Sequence, residues 1–317
     1  MQRKVLIAIW GLLVVVVMLW LLPSAGDAGG PKTREVTCSP EKTIGDELRK
    51  LDPGDTLLVS GTCNEHVVIE EQVHNITLDG QGTATINGPD ATLSTVNIRG
   101  NGITIRGFTI SGGETGILVT RGGRALIDGN TIQNVGNHGI NVNQSSSARI
   151  INNTIQNNPG TGILVNENSS VRIGFLSTDD AVASPNTIQG NVEDGINVTR
   201  SANARIVGNT ISNNTENGVL VNRGSHADLS SNTIDGNAGS GIFVTRNSGA
   251  NLGSDAGAGI FDAPNSTTVN NGVNGIRCRI NSYADGRLGT LNGAAGAQSF
   301  DTTVGTPNGG CINSLNP

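Results

Sequence analysis

The stretch NTISNNTENGVLVNRGSHADLS, residues 209–230, holds three short alternating runs separated by polar turns: Thr210-Ile211, Gly218-Val219-Leu220-Val221 and Ala227-Asp228-Leu229. Runs this short and rich in Ile and Val read as strands, not helices. The same wording returns in both directions. Asn-Thr-Ile occurs at Asn130, Asn153, Asn186, Asn209 and Asn232, with Phe108-Thr109-Ile110 as an earlier variant and Thr267-Thr268-Val269 as a later one. The intervals are 22, 23, 33, 23, 23 and 35 residues, so one unit of about 23 is interrupted by insertions of about 10 and 12. A second phrase keeps step with it: Gly116-Ile117, Gly139-Ile140, Gly162-Ile163, Gly195-Ile196, Gly218-Val219, Gly241-Ile242 and Gly275-Ile276.

A unit of this length is too short for a strand–helix–strand crossover, which needs about 30 residues or more. The chain must instead turn three times per unit and lay each coil on the last, with equivalent strands parallel and about 4.8 Å apart. That predicts an all-β fold, a single-stranded right-handed parallel β-helix. Ile117, Ile140, Ile163, Ile196, Val219 and Ile242 form one internal column, and Val119, Val142, Val165, Val198, Val221 and Val244 a second. Asn158, Asn191, Asn214 and Asn237 recur three residues after the Ile of the first phrase, as a stacked amide ladder that satisfies buried turn backbone. The same repetition creates Asn-x-Ser/Thr triplets at Asn143, Asn152, Asn168, Asn197 and Asn213, read as by-products of the repeat.

The ends read differently. Residues 1–28 have a basic start, an apolar run from Val5 to Leu22, then Pro23 and small residues, as a signal peptide has. The run reaches the lower limit for a span, so a signal anchor is the second reading, and the segment is the one route to a membrane. Residues 29–63 are an N-terminal cap, with a capping-box helix starting at Thr43 and running through Leu51. The β-helix occupies 64–281, and 282–317 form a Gly-rich C-terminal cap. Export permits disulfides; of the three possible pairings, Cys38–Cys63 and Cys278–Cys311 would staple one end each. The expected location is secreted or in the cell envelope. With 20 basic and 26 acidic residues the net charge is −6, which argues against a nucleic-acid partner.

The Asn-Thr-Ile and Gly-Ile-x-Val coils, from about Asn64 to Arg279, resemble the pectin-lyase-like superfamily of exported right-handed parallel β-helix proteins. The resemblance implies the fold, but not one activity, because related folds include polysaccharide lyases, glycosidases, epimerases and adhesins. The polygalacturonase branch carries Asn-Thr-Asp, Asp-Asp, His-Gly and Arg-Ile-Lys elements in that order. Here the nearest fragments, Asn137-His138-Gly139, Thr178-Asp179-Asp180 and Arg279-Ile280-Asn281, stand in another order, and no lysine follows the arginine. Asp179-Asp180 also lacks the opposing carboxylate that glycoside hydrolysis requires, so no catalytic residue is assigned.

Three candidate sites remain. Glu193 and Glu216 fall at equivalent places in adjacent coils with Asp194 alongside, a hard-oxygen cluster suited to Ca²⁺ or else a pair of exposed turn carboxylates. Arg200, Arg223 and Arg246, with Arg121, follow the Gly-Ile-x-Val strand, while Arg149, Arg172 and Arg205 face outward from the next strand, followed by Asp228. Guanidinium forks match carboxylates, so these columns fit an acidic polysaccharide or envelope glycan; the plainer reading is solvated arginines. The two insertions leave at one corner about three coils apart, over a floor of Arg205, Asp228, Thr210, Ser212, Thr233 and Asp235. The function expected is non-catalytic glycan binding or a structural role. The alternative is a lyase or epimerase on a uronate polysaccharide.

Overall fold

The computed structural model describes residues 30–253, 262–303 and 305–316, so the signal or anchor segment lies outside the described residues. Each full coil contains three strands. In the coil that starts at Thr131 they are Thr131–Gln133, Ile140–Val142 and Ser147–Ile151. The middle strands of successive coils stack into a ten-stranded parallel sheet, and the first and third strands join an eighteen-stranded one. Register follows the repeat: Ile117, Ile140, Ile163, Ile196, Val219, Ile242 and Ile276 pair in turn, and all are fully buried. The second column runs from Val119 to Val244 and continues through Cys278 to Phe300. Burying each such Ile or Val contributes about 1.5–3 kcal/mol, and the two-residue period leaves every alternate side chain on the outside.

Each corner places one or two residues in the left-handed region. After the first strand these are Asn134, Asn157 and Asn213, after the middle strand Arg121, Gln144, Glu167, Arg200, Arg223 and Arg246, and after the third Asn152 and Ser231. Two corners are lined by amide ladders. Asn158, Asn191, Asn214, Asn237 and Asn271 pass Nδ2–H to Oδ1 bonds up the stack at 2.9–3.0 Å. The Asn of the Asn-Thr-Ile phrase, read from sequence only as a repeat marker, forms the other ladder through Asn130, Asn153, Asn186, Asn209, Asn232 and Asn265.

That second ladder corrects the last repeat. Asn265 stands in the Asn232 column, and Thr233 bridges Ser266, so the final phrase is Asn265-Ser266-Thr267, not Thr267-Thr268-Val269. Val269 is accordingly 60% exposed. Both insertions therefore separate ladder asparagines by 33 residues, Asn153 to Asn186 and Asn232 to Asn265.

The stack also outruns the boundaries expected at 63/64 and 281/282. Thr33–Thr37 already pairs in parallel with Thr56–Ser60, and Tyr283–Arg287 pairs with Ile312–Asn316. The helix is shorter than its pattern suggests, Ile44–Leu48, with Thr43 Oγ1 accepting from Asp46 N–H. Glu65 reaches across to accept from the Ile44 and Gly45 N–H groups, which fixes the helix over the first coil with Ile44 and Leu48 buried. The disulfides are Cys38–Cys63 and Cys278–Cys311, one in each terminal region, as expected. Among the described residues no helix is long and apolar enough to cross a membrane.

Candidate functional site: the outer face of the third strands

Inward Ala148 and Ile150 force Arg149 outward, and the register repeats this in each coil. Thr104, Leu126, Arg149, Arg172, Arg205, Asp228, Asn251 and Asp285 form one outward column. Arg124 lies two residues earlier on the strand beside Arg149. Arg124, Arg149 and Arg172 line one groove of about 700 Å³ with Asn101, Thr104 and Ser147. Like charges opposite one another on adjacent strands repel. Yet Arg124, Arg149 and Arg172 make no ion pair among the described residues.

The first insertion explains how the crowding is held. Its Phe175 is fully buried, and the Arg172 and Arg205 guanidinium carbons sit 5.6 and 5.2 Å from the ring centroid. Arg172 Nη1–H also donates to Leu176 O at 2.8 Å. Burial, and then the charge of Arg172, hold Arg205 below the usual guanidinium range, against the pull of Asp228. Asp180 Oδ2, in the same insertion, accepts from Leu176 and Ser177 N–H and so closes the loop, a structural use of that carboxylate.

One coil beyond Arg205 the basic column gives way to a hydrogen-bonded array. Asp228 Oδ1 accepts from His226 Nε2 at 2.9 Å and from Asn251 Nδ2 at 2.9 Å. The other ring nitrogen, His226 Nδ1, lies 3.1 Å from the Tyr283 hydroxyl. Burial of Asp228 works to raise its pKa, but the His226 and Asn251 bonds and the Arg205 charge outweigh it and hold the carboxyl below its usual value. With Asp228 ionised, the neutral imidazole carries its proton on Nε2, and in that tautomer Nδ1 accepts from the Tyr283 O–H. Burial and the charges of Asp228 and Asp285 raise the Tyr283 pKa, which keeps that hydroxyl protonated.

His226, Asn251 and Tyr283 were not candidates from the sequence. Their signal is the register: His226 pairs with Gly249 and Gly249 with Tyr283, so the two side chains project from one outward column although 57 residues separate them. Gly249 between them is what lets the ring reach back, for a Cβ there would stand 2.2 Å from Tyr283 Cζ.

The other expected residues are dispersed. Asp235 lies on a first strand and accepts from Thr268 N–H, Thr268 O–H and Val269 N–H, which ties it to the equivalent stretch of the next coil. Arg200, Arg223 and Arg246 are exposed at the left-handed corner before the third strand, and Arg200 lies 3.7 Å from Glu167. Of the second insertion, residues 254–261 lie outside the described residues.

Glu193, Asp194 and Glu216 sit at the corner before the middle strand, and they do not converge. Their donor atoms do not come together within 4.8 Å as a group; among the described residues that geometry occurs only for Cys38, Cys63 and Glu65, whose sulfurs are in a disulfide. Asp194 is turned into the wall, 2% exposed, accepting from Asn217 N–H, Asn217 Nδ2 and Asn197 Nδ2. Burial pushes its pKa up to about 7, with Glu216 and Glu193 adding to the rise and the Asn217 bonds opposing it. Glu193 Oε2 accepts from Thr161 O–H. His138, from the His-Gly fragment, accepts the Thr161 N–H on Nδ1, and burial lowers its pKa.

The family described as the right handed beta helix region matches residues 56–174, 94–254 and 172–287. A cell surface glycoprotein of Methanothermus fervidus is 28% identical over 127 residues, 38% of this chain; the match spans 21% of that protein's length. Among solved structures, the pectate lyase Pel9A superposes with a TM-score of 0.55 at 13% identity, over 86% of this chain and 80% of that one. The periplasmic alginate epimerase AlgG gives 0.51 at 15% identity, over 89% and 84%. At such identities the two structures share the fold with this chain.

Proposed function

This chain belongs to the right-handed β-helix family, and we propose that it is an exported surface protein which binds an acidic polysaccharide along its third-strand face. The observation that carries the reading is the stack of Arg149 and Arg172, with Arg124 beside them, in one groove without carboxylate partners among the described residues. A chain of net charge −6 that keeps such a column unneutralised has a site for an anion there. Consecutive arginines follow the coil rise of about 4.8 Å, a spacing suited to an extended polymer with a charge on each sugar. The disulfides fit an oxidising compartment, and the match to a cell surface glycoprotein agrees with an envelope or extracellular place.

The test is binding of a polyuronate and of a neutral glucan to the purified protein across salt concentration. Polyuronate binding that weakens with salt and falls about tenfold or more in the Arg149→Ala/Arg172→Ala double variant is expected. Equal binding of the neutral polymer would remove the proposal.

A second reading, turnover of that polymer, is favoured by the Tyr283–His226–Asp228 array beside Arg205. Asp228 holds the imidazole in the tautomer whose Nδ1 can take the Tyr283 proton, and Tyr283 could then remove the proton on the carbon next to a uronate carboxylate. Arg205 would stabilise the charge developing on that carboxylate. Loss of the neighbouring glycosidic oxygen, which leaves as a hydroxyl with the extra proton held on the His226–Tyr283 pair, would complete an elimination; delivery of a proton from water to the opposite face of the same carbon, with the extra proton returned to water, would complete an epimerisation. Incubation with polyuronate distinguishes the readings: an unsaturated or C5-inverted product, abolished in Tyr283→Phe while binding persists, supports turnover, and unchanged polymer supports binding alone.

A further inference from the structure

A different face carries a second site. Along the outer side of the ten-stranded sheet, the register places Val68, Asn97, Leu118, Asn141, Leu164, Asn197, Leu220, Phe243, Arg277 and Ser299 in one column. Phe243 is the one aromatic ring in it, half-buried, with the Arg277 guanidinium carbon 5.3 Å from its centroid. A groove of about 270 Å³ runs over Leu220 and Phe243, between Glu216 at one end and Arg246 and Arg279 at the other, with Asn308 forming a wall.

The wall is fixed. Asn308 O and Gly309 O accept the N–H groups of Ile280 and Asn281, and Cys311 is bonded to Cys278, the residue between Arg277 and Arg279. The charges are not matched. Arg246, Arg277 and Arg279 make no ion pair among the described residues. Asp301, which follows the rung partner of Cys278, accepts instead from Thr303 N–H. Burial, and then the neighbouring Arg279 charge, hold Arg277 below its usual pKa, the effect of positive groups lying close together.

We propose that this groove binds a single pyranose bearing one carboxylate, with the ring on Phe243 and the carboxylate held by Arg246 and Arg279. The ligand class rests on the acidic-glycan reading above, but the residues are separate from those of the arginine column. Planar guanidinium forks pair with a planar carboxylate through two parallel bonds. The volume lies at the lower edge of small-ligand pockets, which suits one ring and not a polymer segment. At the far end Glu216 is exposed and can accept from sugar hydroxyls, while it repels a second anionic group. The face of Phe243 offers the apolar contact that the third-strand groove lacks.

The experiment is saturation-transfer NMR on the full protein with methyl glucuronide, methyl glucoside and inorganic sulfate as competitor. Transfer to the glucuronide ring protons, little to the glucoside, and about tenfold or greater loss of affinity in Phe243→Leu and in Arg246→Ala/Arg279→Ala are expected. Phe243→Leu keeps an apolar filler, and near-native circular dichroism is required of each variant. The Arg149→Ala/Arg172→Ala variant should bind glucuronide normally. Sulfate competing as strongly as glucuronide, equal glucoside binding, or an unchanged Phe243→Leu affinity overturns the site. Failure of polymer binding with glucuronide binding intact would instead overturn the arginine column and leave this groove standing.

Discussion

Among the described residues Asp194 is the carboxylate displaced furthest, its pKa raised to about 7 mainly by burial. Because the folded value exceeds the unfolded one, the native state holds this proton more tightly. The resulting stability is complete below about pH 3.8 and is lost as pH rises to about 7, a change on the order of a few kcal/mol. Thermal melting across that range should show the decline, and Asp194→Asn should flatten it. The variant needs the Asn197 amide to turn over, since Asn197 Nδ2 now donates to Asp194 Oδ2. Ladder asparagines carry a different kind of weight. Asn209 Oδ1 accepts from Asn186, and its Nδ2 donates to Ile173 O, Val207 O and Asn232 Oδ1. Asn209→Ala leaves several of these groups buried and unpaired, a loss of about 2–4 kcal/mol by chemical denaturation. Exposed Thr210→Ala, next to it, should change stability by less than about 0.5 kcal/mol.

At the scale of the element, the corner after the middle strand holds arginines where backbone favours glycine. Arg223 has φ 55°. A β-branched residue fits there poorly, so Arg223→Val should lower the melting temperature by an amount equivalent to about 1–2 kcal/mol, while Arg223→Gly should leave it unchanged or higher. If both behave alike, the corner is not strained. These corners also show where sequence reading stops. Three-strand coils were legible because Ile and Val must point inward with period two and recur at a fixed interval. The end of the repeat was misplaced because Thr267-Thr268-Val269 imitates Asn-Thr-Ile in wording, whereas the amide of Asn265 decides the register. The Arg205–Asp228 floor was legible as adjacent outward positions, but the His226–Tyr283 contact spans an insertion and depends on Gly249 leaving room, which no local pattern announces. The acidic trio failed as a cluster because its side chains take different partners: Asp194 turns into the wall onto Asn217, Glu193 accepts from Thr161 and Glu216 stays exposed.

For the molecule as a whole, stability is a sum over neighbouring coils, and the free ends are the weak points. The bonds Cys38–Cys63 and Cys278–Cys311 close loops with separations of 25 and 33 residues, each restricting the unfolded chain by about 3–4 kcal/mol in the entropic account. Cys278→Ser/Cys311→Ser should speed amide exchange in Tyr283–Arg287 and Ile312–Asn316 before it affects the coils around Ile163. Uniform acceleration along the chain would show that the coils unfold as one unit.

The amide ladder crosses each insertion with the same bond, Asn153 to Asn186 and Asn232 to Asn265, as it makes between uninterrupted coils. Loop length at that corner is therefore uncoupled from the winding of the coil. Foreign peptides spliced at the exposed Val182, beyond the buried Phe175 and the Asp180 closure, would be displayed at a known height, and new specificities can be grafted there without redesigning the core.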